Sequence, residues 1–316
     1  MTKCNRQLVF KIPPGAGTGV GYVDVAESLS MVNRKLFKQG MVYGIESIEF
    51  VFAGDPATID LFQISAKTAG DTWSVHNAHT KGEALFNEMQ ELVLEDNPSV
   101  KGTWADYKVL LDGDHADPAV SNLQPLDGDG NPYQPGEWNY STYVMPQHNV
   151  DGAGNPLPAD ETHAHLLGPN RGVAGAFTSV GLVMAYQQSR ATVQPEDPAV
   201  PLQFQDSFFN LLTDSGSQEP ELALVIIGEN DQPPYDQNEY PGGTFNAPVP
   251  CLTEIGTASL GFPNGHLSSF VAQCGLIEFN AFASLNGASV ERPDVIMIVN
   301  VMPGAYKGVA AIPMGQ

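Results

Sequence analysis

VYGIESIEFVF at residues 42–52, followed by IDLFQISAK at 59–67, decides the fold. In both stretches apolar and polar residues alternate with a period of two, the mark of a strand with one face buried. Gly54-Asp55-Pro56 between them is turn chemistry, so the two read as half-buried strands joined by a turn. Towards the N-terminus, RQLVFKI (6–12) is a short alternating strand ended by Pro13-Pro14, and GAGTGVGYVDVA (15–26) is a flexible turn feeding a second strand. Towards the C-terminus, TWSVHNA (72–78) reads as a further strand. Lys81–Asp96 is the best helix: Leu85, Met89 and Leu92 with Phe86 and Val93 form an i, i+3/i+4, i+7 stripe that Asn97-Pro98 stops.

Beyond that helix, TWADYKVLLD (103–112) returns to strand, and residues 112–160 are turn-dense. THAHLLG (162–168) is a strand, AFTSVGLVMAYQQSR (176–190) a strand or short helix, FQDSFFNLLTD a weak helix and ELALVIIG a buried strand. CGLIEFNAFA, DVIMIVNVMPG and YKGVAAIPM follow, and the apolar run at 294–302 reads as a fully buried strand. Strands at both ends with long loops between them suit an all-β, two-sheet antiparallel β-sandwich of the jelly-roll kind, with loop insertions and one or two short helices. Regular strand–helix alternation, which α/β layers need, is missing. The expected organisation is an arm and first strand at 1–32 and one domain at 33–316, with surface insertions at 112–160 and 230–265.

Gly 32 and Pro 25 in 316 residues favour short strands and turns. Asp+Glu 36 against Lys+Arg 14 gives a net charge of −22, a surface that repels nucleic acid and anionic membranes at long range. The few cations gather early, at Lys3, Arg6, Lys11, Arg34, Lys35 and Lys38. Cys4, Cys251 and Cys274 are odd in number and lack metal spacing, so no disulfide framework is expected. The segment after Met1 is polar, without the apolar run of a secretory signal, and no apolar run is long enough to span a membrane.

The loop NDQPPYDQNEYPGGTFNAPVP (230–250) combines prolines and glycines with Tyr235, Tyr240 and Phe245. Large aromatics in a loop without helix or strand period point to a binding surface or subunit contact. Catalytic signatures are weak. GAGTGVG at 15–21 lacks the Lys-Ser/Thr of a phosphate loop and reads as a turn. Asp127, Asp129 and Asn131 in LDGDGNP open like a calcium loop, but Pro132 and Trp138 occupy the places of its Gly and Glu. A turn is favoured, with a structural Ca²⁺ as the alternative. His163 and His165 share a strand face and His76 and His79 lie three apart; structural histidines are the plainer reading, a metal set the other.

A series of motifs in order along the chain resembles the capsid proteins of unclassified circular Rep-encoding single-stranded DNA viruses. The series comprises NRKLFKQGMVYGIESI (33–48), the KG, EM and DN pairs within 81–97, WADYKVLLD (104–112) and GEWNYSTYVMP (136–146). It continues with HLLGPN (165–170), GLVMAYQQSRATVQPEDPAVP (181–201), the loop at 230–250, CGLIEF (274–279) and MPGAYKGVAAIPM (302–314). The resemblance implies a viral jelly-roll subunit, not an enzyme, that assembles inside the host cell into a small icosahedral virion shell of roughly sixty copies. It casts the tyrosine–proline loop as a contact between subunits, and the early cations as residues facing single-stranded DNA. So few cations would hold DNA weakly or indirectly, and the long basic arm common in such capsids is missing here. Two other classes stay open: a secreted carbohydrate-binding or hydrolytic β-sandwich using Trp73, Trp104 and Trp138, and a cupin-like metal enzyme using His163 and His165.

Overall fold

A computed structural model describes residues 4–16, 19–51, 57–102, 106–134, 136–145, 160–173, 176–190 and 249–315. The chain opens with β1 (Gln7–Ile12), β2 (Gly19–Asp24), helix α1 (Val25–Asn33), β3 (Met41–Val51) and β4 (Leu61–Thr68). The next segment holds α2 (Trp73–Asp96), β5 (Leu110–Asp112), β6 (Thr142–Met145), β7 (Asp160–Leu167), β8 (Arg171–Val173), β9 (Ala176–Gly181) and α3 (Leu182–Arg190). The chain returns through β10 (Cys251–Ser259), β11 (Asn264–Leu267), β12 (Phe270–Ala272), β13 (Leu276–Leu285) and β14 (Ala288–Ser289). It ends with β15 (Val295–Val301), β16 (Pro303–Tyr306) and β17 (Ala311–Pro313).

One sheet runs β1-β15-β3-β11, with β12 and β17 also on β3; the other runs β10-β4-β13, with β2 and β14 on the far side of β13. All pairs in these two sheets are antiparallel. With β11 and β12 taken as one broken strand, the eight main strands stand in the order first, eighth, third, sixth in one sheet and second, seventh, fourth, fifth in the other. Successive strands therefore cross between sheets everywhere except from β4 to β10, which pair directly. This is the double Greek key wrapping of a jelly roll. Residues 69–250 are inserted in that one same-sheet connection.

The alternation seen in the sequence sets the core. Leu8, Phe10 and Ile12 of β1, Ile48 and Phe50 of β3, Phe62 and Ile64 of β4, and Met297 and Val299 of β15 all point between the sheets. Each such side chain contributes about 1.5–3 kcal/mol on burial. Phe50 and Phe62 meet edge to face across the sheets at 5.7 Å and 68°. Room for the Phe50 ring comes from Gly265, where an added Cβ would lie 2.1 Å from its Cζ. The insertion has a second core, in which Val75, Ala78 and Leu85 of α2 pack with Tyr107, Leu111, Tyr143, Leu166 and Leu182.

Several sequence expectations are corrected. TWSVHNA is the first part of α2, because the Thr72 hydroxyl caps the helix by accepting the Val75 amide at 3.4 Å. α2 therefore has 24 residues and is the longest of the α-helices among the described residues, which remain mostly β. The run at 294–302 is not buried throughout: β15 alternates, leaving Ile296 44% exposed. AFTSVGLVMAYQQSR is both β9 and α3. The turn-dense region contains β6 and the start of β7, part of a third sheet ordered β5-β7-β9-β8 whose β5–β7 and β7–β9 pairs are parallel. β1 and β2, within 1–32, are integral to the two main sheets, and the described part of 230–265 contains β10 and β11. Tyr235, Tyr240, Phe245, Lys3, Trp104, FQDSFFNLLTD and ELALVIIG lie outside the described residues. No described helix is long and apolar enough to cross a membrane.

Candidate functional site

Residues 1–40 hold six Lys/Arg against Asp24 and Glu27, a net +4; the other 8 Lys/Arg and 34 Asp/Glu give −26, and the two sum to −22. The fold concentrates this cationic part. The Asn5 amide donates to Asn33 Oδ1 at 2.7 Å and Asn33 Nδ2 returns a bond to the Asn5 carbonyl at 2.9 Å, tying the N-terminal segment to the end of α1. Arg6 and Lys35 both act on the Cys4 thiol there. Arg6 Nη1 also donates to the Val301 carbonyl at 3.1 Å and lies 3.5 Å from Glu46. Arg34 ends α1 in the left-handed region at φ 50°. Lys38 Nζ is 3.5 Å from Asp106, and its amide donates to Tyr306 Oη at 3.0 Å.

Four of the expected residues, Arg6, Arg34, Lys35 and Lys38, thus surround the α1–β3 loop. Lys11 does not join them: it pairs with Asp294 at 2.8 Å towards the other end of β1, about 17 Å of strand away. Lys307 was missed. Its ammonium donates to the Leu36 carbonyl and lies 5.6 Å from the Phe37 ring and 5.2 Å from the Tyr306 ring. An aromatic-Lys-Gly turn in MPGAYKGVAA is the local signal, but its partner loop lies far back in sequence.

Beside the loop is an open groove of about 610 Å³ between α1 and the 127–138 segment, lined by Glu27, Met31, Arg34, Tyr133, Glu137 and Trp138 among others. Two of its lining residues, Glu27 and Trp138, belong to a buried polar network. Asp24 caps α1 by accepting the Glu27 amide at 3.1 Å, and its other oxygen accepts from Gln39 Nε2 at 2.8 Å and Trp138 Nε1 at 3.2 Å. Gln39 is fixed on Val109, taking its N–H at 2.6 Å and donating to its carbonyl at 2.9 Å. Asn122 Nδ2 donates to Glu27 Oε2 and Tyr140 Oη, each at 2.6 Å, and Asn122 Oδ1 lies 2.7 Å from His115 Nε2.

Since His115 Nδ1 accepts the Leu111 amide at 3.1 Å, the ring proton sits on Nε2 and is given to Asn122. Tyr22 stacks on that ring at 4.3 Å and donates to Asp112 Oδ1 at 3.0 Å. Burial raises Asp24 well above the usual carboxylate range, and burial with the Asp24 charge raises Glu27. Burial pushes His115 down to about 4, so it is neutral at physiological pH. Chemically the network joins β2 and α1 of the jelly roll to the 106–140 part of the insertion.

The other candidates resolve separately. Asp127 Oδ1 accepts the amides of Asp129 and Asn131, both at 2.9 Å, so LDGDGNP is a side-chain-closed turn. Among the described residues no cluster of three or more His, Cys, Asp and Glu is placed to hold a metal ion. His163 and His165 lie on β7, but His165 has one ring nitrogen on Ser179 Oγ at 2.9 Å and the other on the Pro169 carbonyl at 3.0 Å. His76 pairs with Asp71 at 2.7 Å, whereas His79 is buried with no partner on either nitrogen. Trp73 packs edge to face on Tyr186 at 5.9 Å, and Cys4, Cys251 and Cys274 are unpaired. Comparison with known proteins finds no matching family model, no matching curated protein and no matching solved structure.

Proposed function

We propose that the chain is a structural capsid subunit whose copies assemble into a small closed shell around a circular single-stranded DNA genome. The observation that carries the reading is the eight-strand jelly-roll order, with its long insertion confined to the β4–β10 connection. Jelly rolls also serve lectins and cupins, so the fold by itself does not choose among these. The ordered motifs that resemble such capsid proteins supply the choice. Exposed apolar side chains support it: Phe262 is 80% exposed on the β10–β11 turn, and Leu252 and Ile255 are uncovered on the edge strand β10.

With a net charge of −22, shell cohesion comes from subunit contacts rather than from DNA, whose hold on a few cations is weak and falls with salt. Negative-stain microscopy of the purified full chain, with nuclease-protected nucleic acid assayed alongside, tests the reading. Uniform hollow particles are expected; a monodisperse monomer at every salt and Ca²⁺ concentration contradicts it. Carbohydrate binding keeps one observation in its favour, the groove that presents Tyr133 and Trp138 beside Glu27 and Glu137. A tryptophan-fluorescence titration with neutral oligosaccharides tests that reading, and an unchanged signal excludes it.

A further inference from the structure

The apolar stripe of α2 outlasts the core that it serves. Leu85 is buried, but two turns later Leu92 is 60% and Val93 52% exposed. On the helix surface Leu92 is flanked at i−4 and i+3 by Glu88 and Glu95, and Glu91 continues the same acidic stripe at i+3 from Glu88 and i−4 from Glu95, all three exposed. The end of α2 is therefore an uncovered leucine set among carboxylates. The α1–β3 loop is its chemical counterpart: Leu36 is 52% exposed, between Arg34, Lys35 and Lys38, with Lys307 bound to its carbonyl.

Among the described residues no ion pair joins the two surfaces within one copy. His79 of α2 packs near Gly40, just past the loop, since an added Cβ on Gly40 would lie 3.4 Å from the His79 ring. Leu92 is thirteen residues further along the same helix, about 20 Å away. Nor does the chain's own segment 191–248 complement the acidic face, because it carries ten Asp/Glu and no Lys or Arg.

We infer that the Glu88–Glu95 end of α2 in one copy docks on the Arg34–Lys38 loop of a second copy of this chain. The inference rests on the self-assembly reading and gives it a specific contact. Because the two patches differ, the contact is head-to-tail, the kind that propagates around a ring or shell until it closes. Charge complementarity sets its register, and the leucines supply the desolvated centre.

A charge-swap pair tests it. Glu91→Lys/Glu95→Lys makes both patches basic, and Arg34→Glu/Lys35→Glu/Lys38→Glu makes both acidic. Each variant alone should need about tenfold or more protein to assemble, since like charges then face each other. The five changes combined in one chain restore opposite charges at every contact and should assemble near the wild-type concentration, read by light scattering. Circular dichroism and thermal melting verify folding. Leu92→Gln with Leu36→Gln serves as a second pair that leaves charge unaltered, and each should also weaken assembly.

Variants that assemble like wild type, or a combined variant that stays as dissociated as its parents, overturn the contact while the capsid reading stands. A wild-type chain that never assembles overturns both. Carboxyl footprinting in which Glu91 and Glu95 are already protected in dilute monomer assigns the face to the chain's own insertion, and also overturns the contact.

Discussion

Glu27 is the most instructive residue to alter. The residue is 6% exposed, three residues from the fully buried Asp24, and its carboxyl receives hydrogen bonds from Asn122, at 2.6 Å, and from Gln124. Burial and the Asp24 charge both favour its protonated form. A carboxyl that binds its proton more tightly in the folded state stabilises the fold below the unfolded value. That contribution is lost as pH rises, here from about 4.5 to about 7. Glu27→Gln keeps the shape and an oxygen for Asn122 while removing the charge. One pKa unit is worth about 1.4 kcal/mol, so the variant should be about 1–3 kcal/mol more stable than wild type at pH 8. At pH 4.5 the two should agree within about 0.5 kcal/mol. Urea unfolding at pH 4.5, 6 and 8, followed by far-ultraviolet dichroism, reads the difference. Equal destabilisation of Glu27→Gln at all three pH values would show that the site needs an anion, and would refute the reasoning.

Other substitutions probe separate parts of the structure. His79 is 1% exposed, unpartnered on both nitrogens and held down to about 4 by burial. Its contribution to stability is therefore present above about pH 6.5 and lost as pH falls through about 4. His79→Leu should raise the melting temperature at pH 5 and change stability at pH 8 by less than about 1 kcal/mol. Tyr22→Phe keeps the stack on His115 but removes the bond to Asp112, and should lose about 1–2 kcal/mol in urea unfolding. Gly181→Ala would place a Cβ 2.1 Å from the Gly168 carbonyl oxygen, which is backbone and cannot rotate away. A loss of about 3 kcal/mol or more is expected, with limited proteolysis cutting first in the insertion.

The jelly roll was legible because its strands carry their own signal. Residues 42–52 and 59–67 alternate cleanly, and both became core strands with Phe50 and Phe62 facing each other. α1 carries little signal of its own, because nine residues are too few for a clear apolar period. Asp24 followed by Glu27 resembles a capping-box spacing that would have marked its start. TWSVHNA looked like a strand because Val and Trp favour one, and Thr72 acts as a cap only once α2 has the insertion core to pack on. β15 looked uniformly apolar because Ile296 and Ile298 on its outer face are as apolar as the residues facing in. The site was least legible. Arg34, Lys35 and Lys38 are neighbours in sequence, but Lys307 joins them only through β16, and Asn122 reaches Glu27 across 95 residues.

Self-assembly into a closed shell is tested most directly by weighing the native particle. Sixty subunits of 33.8 kDa give about 2.0 MDa before any nucleic acid is added. Charge-detection mass spectrometry of the purified full chain should show one dominant species at or above that mass, its excess removed when packaged nucleic acid is released. A spectrum confined to 33.8 kDa and small oligomers at assembly-promoting salt contradicts the capsid reading.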